Sequence, residues 1–316
     1  MNDLPRRVAR AAEAALGPSR VPGAALATVR AGELEWVGAV GQVQPTARFQ
    51  AGSVSKALAA LGVLRLAQRV GADLDAPLVP ALDGWCPPGA PPGLEDGITL
   101  RRVLSHTAGL SIPAYPGLEP GAALPDTAGL LRGEGDAAPV RLVARPGTAF
   151  RYSGGGFTVA QHWAELASGM PFARLIDELV LAPLGMTAST FRQEPADADA
   201  TPHDAQGAPM PAYRHAALAA AGLLTTAADL ARFAGAICAG AIPDGMAAPA
   251  PATNGRYGLG LELGALGEGL AGHSGQNRGW RALVAARLDG TAAIVVLCNA
   301  EGGDAVRRAA LAQLAG

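Results

Sequence analysis

Apolar positions change period along the chain, and each change predicts an element. The opening stretch MNDLPRRVARAAEAALG carries the stripe of an amphipathic helix. GAALATVR (23 to 30) and ELEWVGAVG (33 to 41) read as two strands joined by a short turn around Ala31 and Gly32. After RFQAGS, a helical run extends from about Val54 to Val70, with Leu58, Leu61, Leu64 and Leu66 as its apolar contacts. Ser53 therefore sits where strand or loop gives way to helix.

From about 76 to 254 the chain alternates helical patches with Pro/Gly-rich connections. The patches are TLRRVLSHTAGL, GGFTVAQHWAELASG, FARLIDELVLAPLG and TTAADLARFAGAICAG, the last opened by a capping box of Thr226 and Asp229. DGMAAPAPATNG (244 to 255) reads as a closing loop. Strand patterns then return in YGLGLELG, RGWRALVAARLDG and TAAIVVLCNA, with a turn at Asp289 and Gly290, before a last helix, DAVRRAALAQLAG. Strands at both ends predict a mixed α/β fold of the α+β kind. Its antiparallel sheet is built from both chain ends, residues 1–75 with 255–316, and is flanked by the N- and C-terminal helices. A mainly helical region, 76–254, is inserted between them, and the cleft between the two parts is the natural place for a small-molecule site.

Composition narrows the function. A formal net charge of -2 and 16% charged residues give no basic footprint for nucleic acid or an anionic membrane. With aromatic residues at 4%, base-stacking platforms are not expected either. Cys86, Cys238 and Cys298 are widely spaced, without a C-x-x-C pair, and read as reduced core residues. His106, His162, His203 and His215 show no metal spacing, His106 reads as structural, and no cofactor is called for. Arg10 and Glu13 interrupt the apolar run a signal peptide needs, and no stretch is long enough to span a membrane. The expectation is a soluble, cytoplasmic protein taking a small-molecule substrate.

Three short stretches carry chemistry. In Ser53-Val54-Ser55-Lys56, Lys56 is the only lysine among 25 basic residues. Arginine matches most surface roles of lysine but cannot release its proton near neutral pH, whereas a buried lysine can. Residues three apart share a helix face, so Lys56 can take the proton of the Ser53 hydroxyl. Backbone N–H groups at a helix start can steady an oxyanion. In Arg151-Tyr152-Ser153-Gly154, a tyrosine can shuttle a proton if cations stabilise its phenolate. In His273-Ser274-Gly275, placed just before a strand, the glycine would let a substrate lie along a sheet edge. No G-x-S-x-G surrounds any serine, and GLGLELG reads as a strand rather than a dinucleotide loop.

In this order the three stretches resemble the serine β-lactamase and penicillin-binding-protein superfamily. The nearer likeness is to its class C β-lactamase, D-alanyl-D-alanine carboxypeptidase and family VIII esterase branch. LSHTAGL (104 to 110), APLGMTAST (182 to 190) and VVLCNAEGG extend the resemblance across nearly the whole chain. It implies a class C β-lactamase-like fold and an acyl-enzyme on Ser53. Lys56 and Tyr152 would pass protons, and the backbone N–H groups of Ser53 and Gln276 would form the oxyanion hole. His273, Ser274, Gly275 and Gly154 would face the substrate.

Two positions depart from the antibiotic-cleaving pattern: Gly154 replaces the asparagine of Tyr-x-Asn, and His273-Ser274-Gly275 replaces Lys-Thr-Gly. An imidazole attracts a carboxylate less than an ammonium does. The leading expectation is therefore a carboxylesterase for small or medium acyl esters. An amide hydrolase of β-lactamase, D-Ala-D-Ala carboxypeptidase or D-aminopeptidase type is the alternative, with Arg278 restoring positive charge. A sensor acylated without turnover is a third reading.

Overall fold

The computed structural model describes residues 3–194 and 199–315. Helix α1, Leu4–Ser19, starts where the Asp3 carboxylate accepts the Arg6 N–H, and it buries Leu4, Val8, Ala12 and Leu16. Strands β1, Gly23–Arg30, and β2, Glu33–Gly41, follow. A two-residue strand β3, Phe49–Gln50, leads through a single 3-10 turn, Gly52–Val54, into α2, Ser55–Val70, closed by Gly71 at φ 69.

The middle holds short helices α3, Leu100–Leu104, and α4, Thr127–Arg132, then α5, Gly154–Ser168, and α6, Phe172–Ile176, which runs on into a π turn, Asp177–Leu181. Next come α7, Leu218–Ala221, β4, Leu224–Thr225, and α8, Ala227–Cys238. Strands β5, Glu262–Gly264, β6, Gly267–Asn277, β7, Trp280–Arg287, and β8, Ala292–Cys298, precede α9, Asp304–Ala315.

The main sheet is antiparallel with order β2-β1-β8-β7-β6-β5, so the two chain ends meet at the pairing of β1 with β8. Both faces of β1 are buried, because alternate residues enter different cores. Ala24 and Leu26, with Ile294 and Val296 of β8, meet α1 and α9. Ala25, Ala27 and Val29, with Val295 and Leu297, join the larger core containing α2, α5 and α8.

Two elements differ from the sequence expectation. YGLGLELG is a strand only over Glu262–Gly264, and the long strand Gly267–Asn277, bearing His273, fills a stretch to which the sequence pattern assigns no element. Four glycines dilute its apolar pattern, yet Gly272 is needed: a Cβ there would come 2.0 Å from the Val284 carbonyl oxygen. Helix α8 lies within 76–254 but packs on the sheet, where a Cβ on Gly235 would meet the Gly32 carbonyl oxygen at 2.3 Å. Its Thr226 cap accepts the Asp229 N–H. The Asp229 carboxylate completes no reciprocal box and instead holds the Ala188 N–H and the Ser189 hydroxyl. Of the cysteines, Cys238 and Cys298 are buried, whereas Cys86 is exposed.

Candidate active site

Ser53 lies in the 3-10 turn before α2, and that turn is fixed from two sides. On one side the Ser55 hydroxyl donates to the Gly52 carbonyl and accepts the Leu223 N–H, while Ala51 N–H donates to Leu223. On the other, the turn abuts β6. A Cβ on Gly52 would lie 2.5 Å from Gln276 N, and one on Gly275 would lie 1.9 Å from the Ala51 carbonyl oxygen. Glycine at both positions lets the two backbones touch.

One helical turn on, Lys56 is 1% exposed. Its Nζ lies 3.0 Å from Ser53 Oγ and donates to the Ala220 carbonyl at 2.8 Å. Burial pulls its pKa from 10.5 to about 7, against the opposing pull of the Glu262 carboxylate. A carbonyl can only accept, so in the neutral amine one N–H is committed to Ala220 and the lone pair is left for the Ser53 proton.

Tyr152 lines the same cleft as Ser53, and Lys56 Nζ stands 4.9 Å from its ring centroid. The expected phenolate is not favoured: burial holds the phenol above its ordinary pKa, and Glu262 adds to the rise. Near neutral pH the lysine is therefore the one of the two that can exchange a proton, while the tyrosine keeps its own.

His106, at φ 58, straddles Tyr152. Its carbonyl accepts the Arg151 N–H at 2.7 Å, its Nδ1 accepts the Ser153 N–H at 3.0 Å, and its ring stacks on Tyr152 with centroids 4.2 Å apart. Burial, with the nearby Lys56 charge, keeps this imidazole neutral well below its ordinary pKa.

The substrate-facing expectations fare unevenly. His273 is 0% exposed and lies behind the cleft wall rather than in it. Its Nδ1 lies 2.6 Å from the Ser274 carbonyl, which can only accept, so Nδ1 carries the proton and Nε2 accepts from the Tyr257 hydroxyl at 2.8 Å. Burial lowers its pKa, so it offers a substrate neither contact nor charge. Gly154 is buried too. A Cβ there would sit 3.3 Å from the Pro113 carbonyl, 3.4 Å from that of Ile112 and 3.4 Å from the Tyr115 ring. Backbone of the 111–113 segment occupies that direction, accepting the Ser153 hydroxyl and the Gly155 and Gly154 N–H groups in succession.

Ser274, Gly275, Gln276 and Arg278 do line the cleft, a cavity of about 620 Å³ that also takes in Ser53 and Tyr152. Pro113, Ala114, Tyr115 and Pro116 form an apolar wall. Ser274 N–H donates to Glu262 Oε1, and N–H groups two apart on a strand share an edge. The Gln276 N–H therefore points to the same free edge of β6, beyond the end of β5 and toward Ser53.

Glu262 is the residue that sequence reasoning missed. It lines the cleft, takes the Ser274 hydroxyl at 2.8 Å, and acts electrostatically on Lys56, Tyr152 and His273. Arg281 and Arg307 also line the cleft but are tied to backbone carbonyls, whereas Arg278 is exposed with its guanidinium 3.7 Å from the Tyr213 ring centroid.

Residues 8–316 match the sequence model of the family described as Beta-lactamase. Esterase EstB of Burkholderia gladioli is 32% identical over 219 residues, which are 62% of this chain and 54% of that protein. The chain thus aligns with about half the length of that curated relative. A D-stereospecific amidohydrolase from Streptomyces sp. superposes with a TM-score of 0.75 at 23% identity, over 96% of this chain and 97% of the other. The D-amino acid amidase of Ochrobactrum anthropi SV3 gives a TM-score of 0.78 at 20% identity, over 97% and 99%. These two likenesses are likenesses of fold. No helix among the described residues is long and apolar enough to cross a membrane.

Proposed function

Because the chain belongs to the Beta-lactamase family, we propose that it is a serine hydrolase working through an acyl-enzyme on Ser53, with carboxylic esters as its substrates. The observation that carries this reading is the lysine amine, brought to about 7 by burial, 3.0 Å from the Ser53 hydroxyl oxygen. Ser53 Oγ attacks the acyl carbon while its proton passes to Lys56, directly or through the Tyr152 hydroxyl. The N–H groups of Ser53 and Gln276 receive the oxyanion, a contribution of about 3 kcal/mol per donor in comparable sites. The proton then goes to the departing alkoxide, and water repeats the sequence in reverse to release the acid.

Esters are favoured over amides by what lies opposite the nucleophile. The position of an amide-binding side chain is filled by backbone near Gly154, the His273 imidazole is buried and neutral, and the adjoining wall is apolar. A second reading, hydrolysis of amides bearing a carboxylate, draws support from Arg278, an exposed cation that lines the cleft.

Turnover of a p-nitrophenyl ester, a chromogenic β-lactam and a D-amino-acid amide, by wild type and Ser53→Ala, tests these readings. Ester turnover abolished in Ser53→Ala is expected. Ester turnover that persists in the variant rules the mechanism out, and a stoichiometric burst without turnover favours a sensor.

A further inference from the structure

Arg307 reaches from α9 into the sheet, where Nη1 donates to the Gly275 carbonyl at 2.9 Å and to the Ala282 carbonyl at 2.8 Å. Its Nη2 is held by Asp304, one helical turn earlier. The carbonyl of Gly275 and the N–H of Gln276 belong to one peptide unit, and in a trans peptide they point in opposite directions. Fixing the oxygen between β6 and β7 therefore fixes the N–H toward the free edge and Ser53.

We propose that Arg307 is a positioning residue for the oxyanion site, orienting and polarising the Gly275–Gln276 peptide whose N–H faces the nucleophile. This inference rests on the serine acyl-transfer reading. A charged donor on an amide oxygen strengthens the opposite N–H as a donor, since hydrogen bonds in a chain polarise one another. The same peptide is approached closely by Ala51 and Gly52 and lies in the β6–β7 ladder, and the guanidinium adds a charged side-chain donor on its carbonyl. Arg281, the neighbouring arginine, binds the carbonyls of Asn277 and Trp280 and so braces the hairpin instead.

The test compares wild type, Arg307→Met and Arg307→Lys on a neutral p-nitrophenyl ester and on an anionic one, with Ser53→Ala in the same assay. Affinity for an aryl boronic acid, which forms a tetrahedral adduct on the serine, is measured alongside. Expected for Arg307→Met is a kcat loss of about tenfold to a hundredfold, less than removal of a whole oxyanion donor costs. KM on the neutral ester stays within about threefold, boronate affinity falls in step with kcat, and Arg307→Lys is intermediate.

Unchanged kcat and boronate affinity in variants whose turnover still depends on Ser53 overturn the inference alone. A rise in KM confined to the anionic ester overturns it too, making Arg307 a binder of substrate charge. Turnover that survives Ser53→Ala overturns the acyl-transfer reading and this inference with it. If Arg307→Met does not fold, wild type against Arg307→Lys decides, and equal boronate affinity counts against the proposal.

Discussion

The Ala51 carbonyl oxygen lies where a methyl group on Gly275 would have to go, at 1.9 Å. The turn that carries Ser53 and a strand more than two hundred residues later are thus in backbone contact. Gly275→Ala is expected to force them apart. The strain costs about 1–3 kcal/mol, and the displaced Gln276 N–H costs about a hundredfold in kcat. A thermal melt beside ester kinetics separates the two losses, and full activity in the variant would show that this contact does not set the site.

Lys56→Arg keeps the charge and removes the removable proton. Loss of activity of about a thousandfold or more is expected, since general-base transfer contributes on this scale. Retention of most activity would mean that proton transfer is not the role of Lys56.

The pH dependence follows from the same group. With Lys56 at about 7 and the neutral amine as base, kcat/KM on an ester rises with pH through neutrality. Glu262 pulls that value upward, so Glu262→Gln should move the rise to lower pH. A profile displaced to higher pH would contradict this electrostatic arrangement.

Stability carries the opposite face of that shift. Between about 7 and 10.5 the unfolded chain holds a proton on Lys56 that the folded chain has lost, so this group makes unfolding harder as pH rises. Below 7 both states are protonated, and the buried ammonium weakens the fold in full. Lys56→Met should raise Tm more at pH 6 than at pH 10, while abolishing turnover. A difference between variant and wild type that does not vary with pH would place the cost elsewhere.

Much of this was readable from residue order, and the exceptions have physical causes. The bounds of β1 and β2 matched their sequence patterns, and α2 began one residue later than expected. Strand β6 escaped because glycines required by close backbone contacts remove the apolar alternation that marks a strand. With β6 unrecognised, parity was lost as well. On a strand, Gln276 and Ser274 share a face that His273 cannot share, so the burial of His273 follows from its position. Ala220 and Leu223 hold Lys56 and the Ser53 turn through backbone atoms that every residue owns, so no side chain could announce them.

Gly154→Asn, the apparent repair of the antibiotic-binding pattern, should confer no β-lactam turnover. The new Cβ meets the Pro113 and Ile112 carbonyls at 3.3 and 3.4 Å, and the crowding is expected to cost about 1–3 kcal/mol. Measurable hydrolysis of a chromogenic β-lactam by a stable variant would refute this.

The carbonyls of 111–113 that cap α5 also shape how this protein can change. Each takes an N–H or hydroxyl from Ser153, Gly154 or Gly155, and a Cβ on Gly155 would come 2.6 Å from the Ser111 oxygen. An amide-binding side chain beside Tyr152 thus requires this segment to be rebuilt together with the glycines that admit it. Single substitutions along that route are expected to cost stability through these contacts before any new one forms, so selection acting one residue at a time should have more freedom to retune the Pro113–Pro116 wall than to revise Gly154.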